Sequence, residues 1–324
     1  MNKHVALISI ATLLAGAWVV AAPHTSESIA SLWEEPTNLA SRNLFTGPWS
    51  ADHAPDPHAT FRLMGLKSHG INPGVVVVDP AGREWHVKQH ANNTAGDEGP
   101  VEVVLSRVLS ALGYHQPPVY YLSSFTLSAS DGTRTLPGGR FRLQEPSLTE
   151  MGPWSWQENA FVGTRPYGGL LFILLLFNST DLKDANNALY RAARPGAPAN
   201  WFVVRDLGAA LGETGRFAPR GNDAALFENS QFIVGVKDGF VEFDNRSGYQ
   251  PLFRQRITPQ DVAWATRWLG RVSTQQWRDA FRAGGYDAEV ADRFIRKIQV
   301  NISTARTLVA PSGGDSDAAP HRIP

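Results

Sequence analysis

The chain has 324 residues, 43% hydrophobic and 19% charged, an ordinary globular make-up that excludes disorder throughout and allows one large domain or two lobes. Its 30 basic residues balance 30 acidic ones, so no net field draws in a nucleic-acid polymer and local clusters must carry any polyanion binding. There is no cysteine, which removes disulfides, thiol nucleophiles, iron–sulfur clusters and cysteine zinc sites.

Lys3 and His4 precede an apolar run from Val5 to Val20, and Ala21, Ala22 and Pro23 come next with the small residues of a cleavage site. The expectation is an export signal over 1–22, placing the rest in the periplasm or outside the cell. An uncleaved single-span anchor is the alternative, because a run of this length just crosses a bilayer. A second run, Leu170 to Phe177, is too short to span and reads as a buried helix. Residues 23–60 are rich in Pro, Ser, His and Trp without a sustained period. They predict an irregular lead-in that wraps the body or stays mobile.

From Phe61 the pattern becomes strand-like: Phe61 to Met64, Val75 to Val78 and Arg83 to Gln89 form a meander. The segment Asp79-Pro80-Ala81-Gly82 supplies its second turn. Val101, Val104, Leu105, Val108, Leu109 and Leu112 recur at helical spacing, predicting an amphipathic helix with one face for a sheet and Gly113 as its C-cap. Val119 to Leu127 and Gly139 to Gln144 read as two further strands, and Glu145-Pro146 is a break. Beyond it helices are predicted at 167–178, 223–229, 259–269, 274–283 and 288–300, with a disordered tail over 310–324.

One stretch carries chemistry. After the apolar run come Asp181, Lys183 and Asn186 in the pattern Asp-x-Lys-x-x-Asn, and later Val203-Val204-Arg205-Asp206-Leu207-Gly208. Phosphoryl transfer asks for a carboxylate near the attacking hydroxyl, oxygen ligands for Mg²⁺ and cations on the phosphates, and these four residues supply that inventory. The two motifs resemble the catalytic and metal loops of the protein-kinase-like superfamily, in its atypical HipA-like and phosphatidylinositol-kinase-like bacterial branch.

The resemblance covers roughly 61–308. It implies an α+β, two-lobed fold: a small antiparallel β lobe with one helix over 61–145, and a larger helical lobe over 146–309. It implies ATP and Mg²⁺ as cofactors, with Asp181 orienting or deprotonating the acceptor, Lys183 steadying the transferred phosphoryl, and Asn186 and Asp206 holding the metal. By the same resemblance Lys88 pairs with phosphates and with Glu102, Glu98 being second choice. Gly70 and Gly74 form a phosphate-approaching loop, and the backbone of Gln144 and Glu145 meets adenine. Two departures stand out: Ser179-Thr180 precede the catalytic Asp where the family carries a His-Arg-like pair, and the metal loop reads Asp-Leu-Gly.

The expected partners are a nucleotide and a hydroxyl acceptor of unknown class, with membrane contact only through the N-terminal run. Because ATP is scarce outside bacterial cytosol, an exported scaffold without phosphotransfer is the second hypothesis. A carbohydrate-binding protein, resting on the ten tryptophans, is the third. Helical spacing favours core packing for those tryptophans, and His86 and His90 do not converge on a metal along a strand.

Overall fold

The computed structural model describes residues 27–66, 73–90, 97–215 and 220–309. The apolar N-terminal run, Gly70 and the C-terminal tail lie outside the described residues. Among the described residues no helix is long and apolar enough to cross a membrane.

The first half is built on β1 (Thr60–Leu66), β2 (Gly74–Val78), β3 (Glu84–Gln89), α1 (Glu98–Ala111), β4 (Val119–Ala129) and β5 (Gly132–Leu143). The resemblance implies an antiparallel sheet. The five strands instead close into a barrel in the order β1-β2-β3-β5-β4, because β1 pairs in parallel with β4 at Phe61 and Leu127. Closure leaves no edge and seals Phe61, Val77, Trp85, Phe125 and Phe141 inside. The loop expected before Gly139 is strand from Gly132 onward, paired residue by residue with β4.

Helix α1 departs from the one-faced amphipathic reading. Every residue after Glu98 is buried, including Glu102, Ser106, Arg107 and Ser110. Its apolar side chains join the large helical core while its other side lies on β4 and β5. A helix enclosed on all sides must find partners for its polar groups. Glu102 finds Lys88 on β3 and Arg140 on β5, and Arg107 finds a carbonyl of the lead-in.

After the break come β6 (Leu148–Gly152), α2 (Arg165–Leu176), β7 (Asn187–Ala192), β8 (Asn200–Val204), α3 (Ala224–Asn229), β9 (Ile233–Lys237) and β10 (Phe240–Phe243). The chain closes with α4 (Pro259–Leu269), α5 (Thr274–Ala283) and α6 (Ala288–Val309). The expectation of a mostly helical second half therefore needs correcting by a three-stranded sheet, β6-β7-β8, and a β9-β10 hairpin. Thr258 and Ser273 form capping boxes that start α4 and α5.

The lead-in, over 27–59, is fastened to the body. Trp33 Nε1 donates to Leu112 O at 2.7 Å, Trp49 Nε1 to Gln116 O at 2.9 Å, and Gln276 Nε2 to Leu39 O at 2.8 Å. Leu32, Leu39, Leu44 and Trp49 are buried, so the segment is part of the core without regular structure.

Candidate active site

Helix α2 ends in a Schellman motif that aims the chain into the site. Asn178, at φ +55°, is the left-handed residue. Its N–H bonds Leu175 O at 2.9 Å and the next N–H, of Ser179, bonds Leu174 O at 3.0 Å. The loop 179–186 is then tied to the loop after β8. Thr180 N–H donates to Ala209 O and Arg205 N–H to Asn186 O, both at 2.9 Å. The two motifs, separate in sequence, are thus one hydrogen-bonded unit.

Asp206 follows β8 with φ +53°, a conformation Asp tolerates better than most residues. Gly208 brings this loop onto the start of α1: a Cβ there would stand 2.4 Å from Glu98 Cβ and 2.7 Å from Glu98 O. The bare Cα is what allows the approach.

Lys88 is the centre of the site. It lies on β3, 4% exposed, and its Nζ stands 2.6 Å from Glu98 Oε2, 3.6 Å from Glu102 Oε2, and in contact with Asp206 Oδ1. Burial alone would push this ammonium's pKa down. The carboxylates of Glu102, Asp206 and Glu98 outweigh that and hold it above its ordinary value. Glu98 is therefore the nearer helix partner, although the resemblance puts Glu102 first. Glu102 is divided: its other oxygen sits 2.9 Å from Nε of the buried Arg140, which faces Lys88 across the β3-β5 ladder.

On the other side of the loop, Lys183 Nζ donates to Asp181 Oδ2 at 2.7 Å and the Tyr249 hydroxyl donates to Asp181 Oδ1 at 3.2 Å. Burial and the neighbouring Asp181 both raise the Tyr249 pKa, keeping the hydroxyl protonated as a donor. Asn186 gives its amide to Asp181 O at 2.8 Å. Asp181, Asn186 and Asp206 line one narrow crevice of ≈ 10 Å³, about the room of one water or ion.

The donor set there fits a hard cation. The crevice is also lined by Ser179 and Asn187, whose Oγ and Oδ1 are buried without a hydrogen-bond partner among the described residues, so its wall carries polar atoms with unmet bonding capacity. Among the described residues no cluster of three His, Cys, Asp or Glu forms a self-sufficient cage. Mg²⁺ does not need one, since one or two carboxylates with phosphates and waters suffice.

Of the remaining residues expected at the site, Gln144 and the adjoining Glu145 stand at the Glu84 end of β3, four positions along the strand from Lys88. Gly74 opens β2 and pairs with Lys88, while Gly70 is outside the described residues. The Gln144 N–H is spent on Glu84 O at 2.9 Å, and the Glu145 carbonyl accepts from Leu148 N–H at 2.9 Å. Among the described residues, this leaves the Gln144 carbonyl and the Glu145 N–H for the part expected of them. Sequence reasoning missed Arg140 and Tyr249. Arg140 is set beside Lys88 by the β3-β5 register, which no local sequence signal announces. Tyr249 stands in an irregular segment with no spacing signal.

No family model matches the chain, and no curated protein matches it. Among solved structures it is similar to the Helicobacter pylori proinflammatory kinase CtkA, with a TM-score of 0.47 and 11% identity, over 78% of this chain and 100% of that one. It is also similar to the Golgi casein kinase, with a TM-score of 0.40 and 9% identity, over 83% of this chain and 78% of that one.

Proposed function

We propose that the chain is an exported atypical kinase that transfers the γ-phosphoryl group of ATP to a hydroxyl acceptor on a protein, lipid or small molecule. The observation that carries this reading is the convergence of three separate segments: Asp181 and Asn186 from one loop and Asp206 from another line one crevice, and Lys88 of β3 contacts Asp206. Lys88 is placed to bind phosphate oxygens, steadied by Glu98 and Glu102. Asp206 and the free Oδ1 of Asn186 would hold Mg²⁺, whose contribution is to neutralise phosphate charge. Asp181 accepts the acceptor's hydroxyl proton as its oxygen bonds to the γ-phosphorus and the bond to the β-phosphate oxygen breaks. Lys183, paired with Asp181, offers a cation to the transferred group. Export rests on the apolar run Val5 to Val20.

One observation favours a second reading, a nucleotide-binding module without transfer: Lys88 is held by three carboxylates and the crevice admits only one small particle. Thermal unfolding with ATP, with and without Mg²⁺, followed by transfer from γ-labelled ATP to the chain itself or to hydroxyl acceptors, separates the readings. A Mg²⁺-dependent shift with label transfer is expected. A shift without transfer leaves the binding module, and no shift at millimolar nucleotide removes both.

A further inference from the structure

A second cavity, of ≈ 480 Å³, shares no lining residue with the crevice. It lies between the lead-in, the C-terminal end of α1 and the β7-β8 connection. Three guanidinium groups, of Arg42, Arg107 and Arg194, line it against the single carboxylate of Glu34.

Arg107 is the informative one. It is 2% exposed, and among the described residues no carboxylate comes within ion-pair distance of it. Its neighbours are Phe45 O, which accepts from Nε at 3.3 Å, and the Tyr120 ring, 5.1 Å from the guanidinium carbon. Burial without a counter-ion pushes its pKa down to about 10. A buried cation of this kind is costly unless something pairs with it. The fold nonetheless makes room for it, since a Cβ at Gly47, where φ is +77°, would stand 2.6 Å from Arg107 Nη1.

The two other cations point the same way. Arg194 lies over the Trp49 ring at 4.3 Å, is exposed at the rim, and also has no carboxylate partner among the described residues. Arg42 donates to Ser110 O at 2.6 Å and Ala111 O at 3.2 Å. Together with Trp33 on Leu112 O, it covers the carbonyls that would otherwise repel an anion at the end of α1.

We propose that this cavity is a binding site for a small molecule bearing a phosphate dianion, gripped by Arg107 from within and Arg194 from the rim. A phosphate monoester carries close to two negative charges at neutral pH, matching the excess of two cations over carboxylates in the lining. The bound dianion would supply Arg107 with the partner it lacks. Helix α1 connects this site to the Lys88 cluster, with Arg107 toward one end and Glu98 and Glu102 at the other.

The test uses the full chain in EDTA, with inorganic phosphate as probe and chloride at matched ionic strength as control, read by thermal unfolding. Phosphate is expected to raise the midpoint above chloride. Arg194→Gln, at an exposed position, is expected to weaken apparent affinity at least about tenfold, the loss of one charged hydrogen-bonding partner. Arg107→Gln should do at least as much, and Lys183→Gln, beside the crevice on Asp181, should leave the response unchanged. The proposal is overturned by no stabilisation beyond chloride, by a response that survives both arginine changes, by one lost in Lys183→Gln, or by equal stabilisation with malonate.

Discussion

Lys88 on β3 donates to Asp206 after β8, a contact spanning 118 positions of sequence that joins the barrel to the hydrogen-bonded pair of loops. The same ammonium faces Glu98 and Glu102, so carboxylates outnumber cations around it even when Arg140 is included. Such a centre is arranged to exchange partners. A metal drawn to Asp206 would release Lys88 toward phosphate, with Glu98 and Glu102 keeping the freed ammonium in place.

The two ends of that contact should differ in what they do for stability. Lys88 is buried, and Lys88→Met leaves the largely buried Glu98 and Glu102 short of a cation, at an expected cost of about 3 kcal/mol. The Asp206 side chain is 43% exposed, and Asp206→Ala should cost within about 1 kcal/mol. Urea unfolding of both variants checks the asymmetry, and equal losses would contradict it.

Asp206 and Asp181 should separate metal binding from transfer. Asp206→Ala is expected to abolish the Mg²⁺-dependent part of the ATP thermal shift, whereas Asp181→Ala should keep the shift and lose about 10²–10⁴ in transfer rate. If Asp206→Ala still binds Mg-nucleotide normally, the metal assignment fails. Tyr249→Phe removes one hydrogen bond to Asp181 and should lower the rate by about tenfold or less.

Glu102 and Glu98 look alike on one helix yet should respond differently. Glu102 is buried between Lys88 and Arg140, so Glu102→Gln leaves Arg140 without its carboxylate and should cost about 3–5 kcal/mol. Glu98, more exposed and at the first turn, should cost about 1 kcal/mol as Glu98→Gln. Denaturant midpoints for the two variants give the comparison directly.

Where the chemistry was legible in the sequence, it was because the residues are close together. Asp181, Lys183 and Asn186 share a loop, and one Schellman turn presents them all. The register of β3 with β5, which sets Arg140 beside Lys88, and the parallel β1-β4 pairing that closes the barrel are long-range pairings with no local signature. Strands β7 and β8 are short and flank a polar loop, so Asn187–Ala192 and Asn200–Val204 offered little alternation to read. The lead-in was illegible for a related reason. Its buried Leu32, Leu39 and Trp49 fit no helix or strand period, because irregular chain is held by side-chain bonds to α1, α5 and the loop before β4.

A further bond to the lead-in gives it a pH dependence. His115, 8% exposed and stacked on Trp201 with ring centroids 4.5 Å apart, donates from Nε2 to Ala30 O at 2.7 Å. Burial pushes its pKa below the ordinary 6.5, with the Ala30 carbonyl and Glu34 only partly opposing. The unfolded chain therefore takes up this proton at a higher pH than the folded one. As pH falls below 6.5 the unfolded state binds more protons, so stability present above that value is progressively lost. His115→Gln keeps a donor for Ala30 but has no charge to gain. Its unfolding midpoint should start lower at neutral pH, from lost stacking, and fall less steeply on acidification than that of the unchanged chain. His86, whose pKa is also lowered by burial, titrates in both proteins, so the difference between the two curves isolates His115. Parallel curves would remove His115 as the cause.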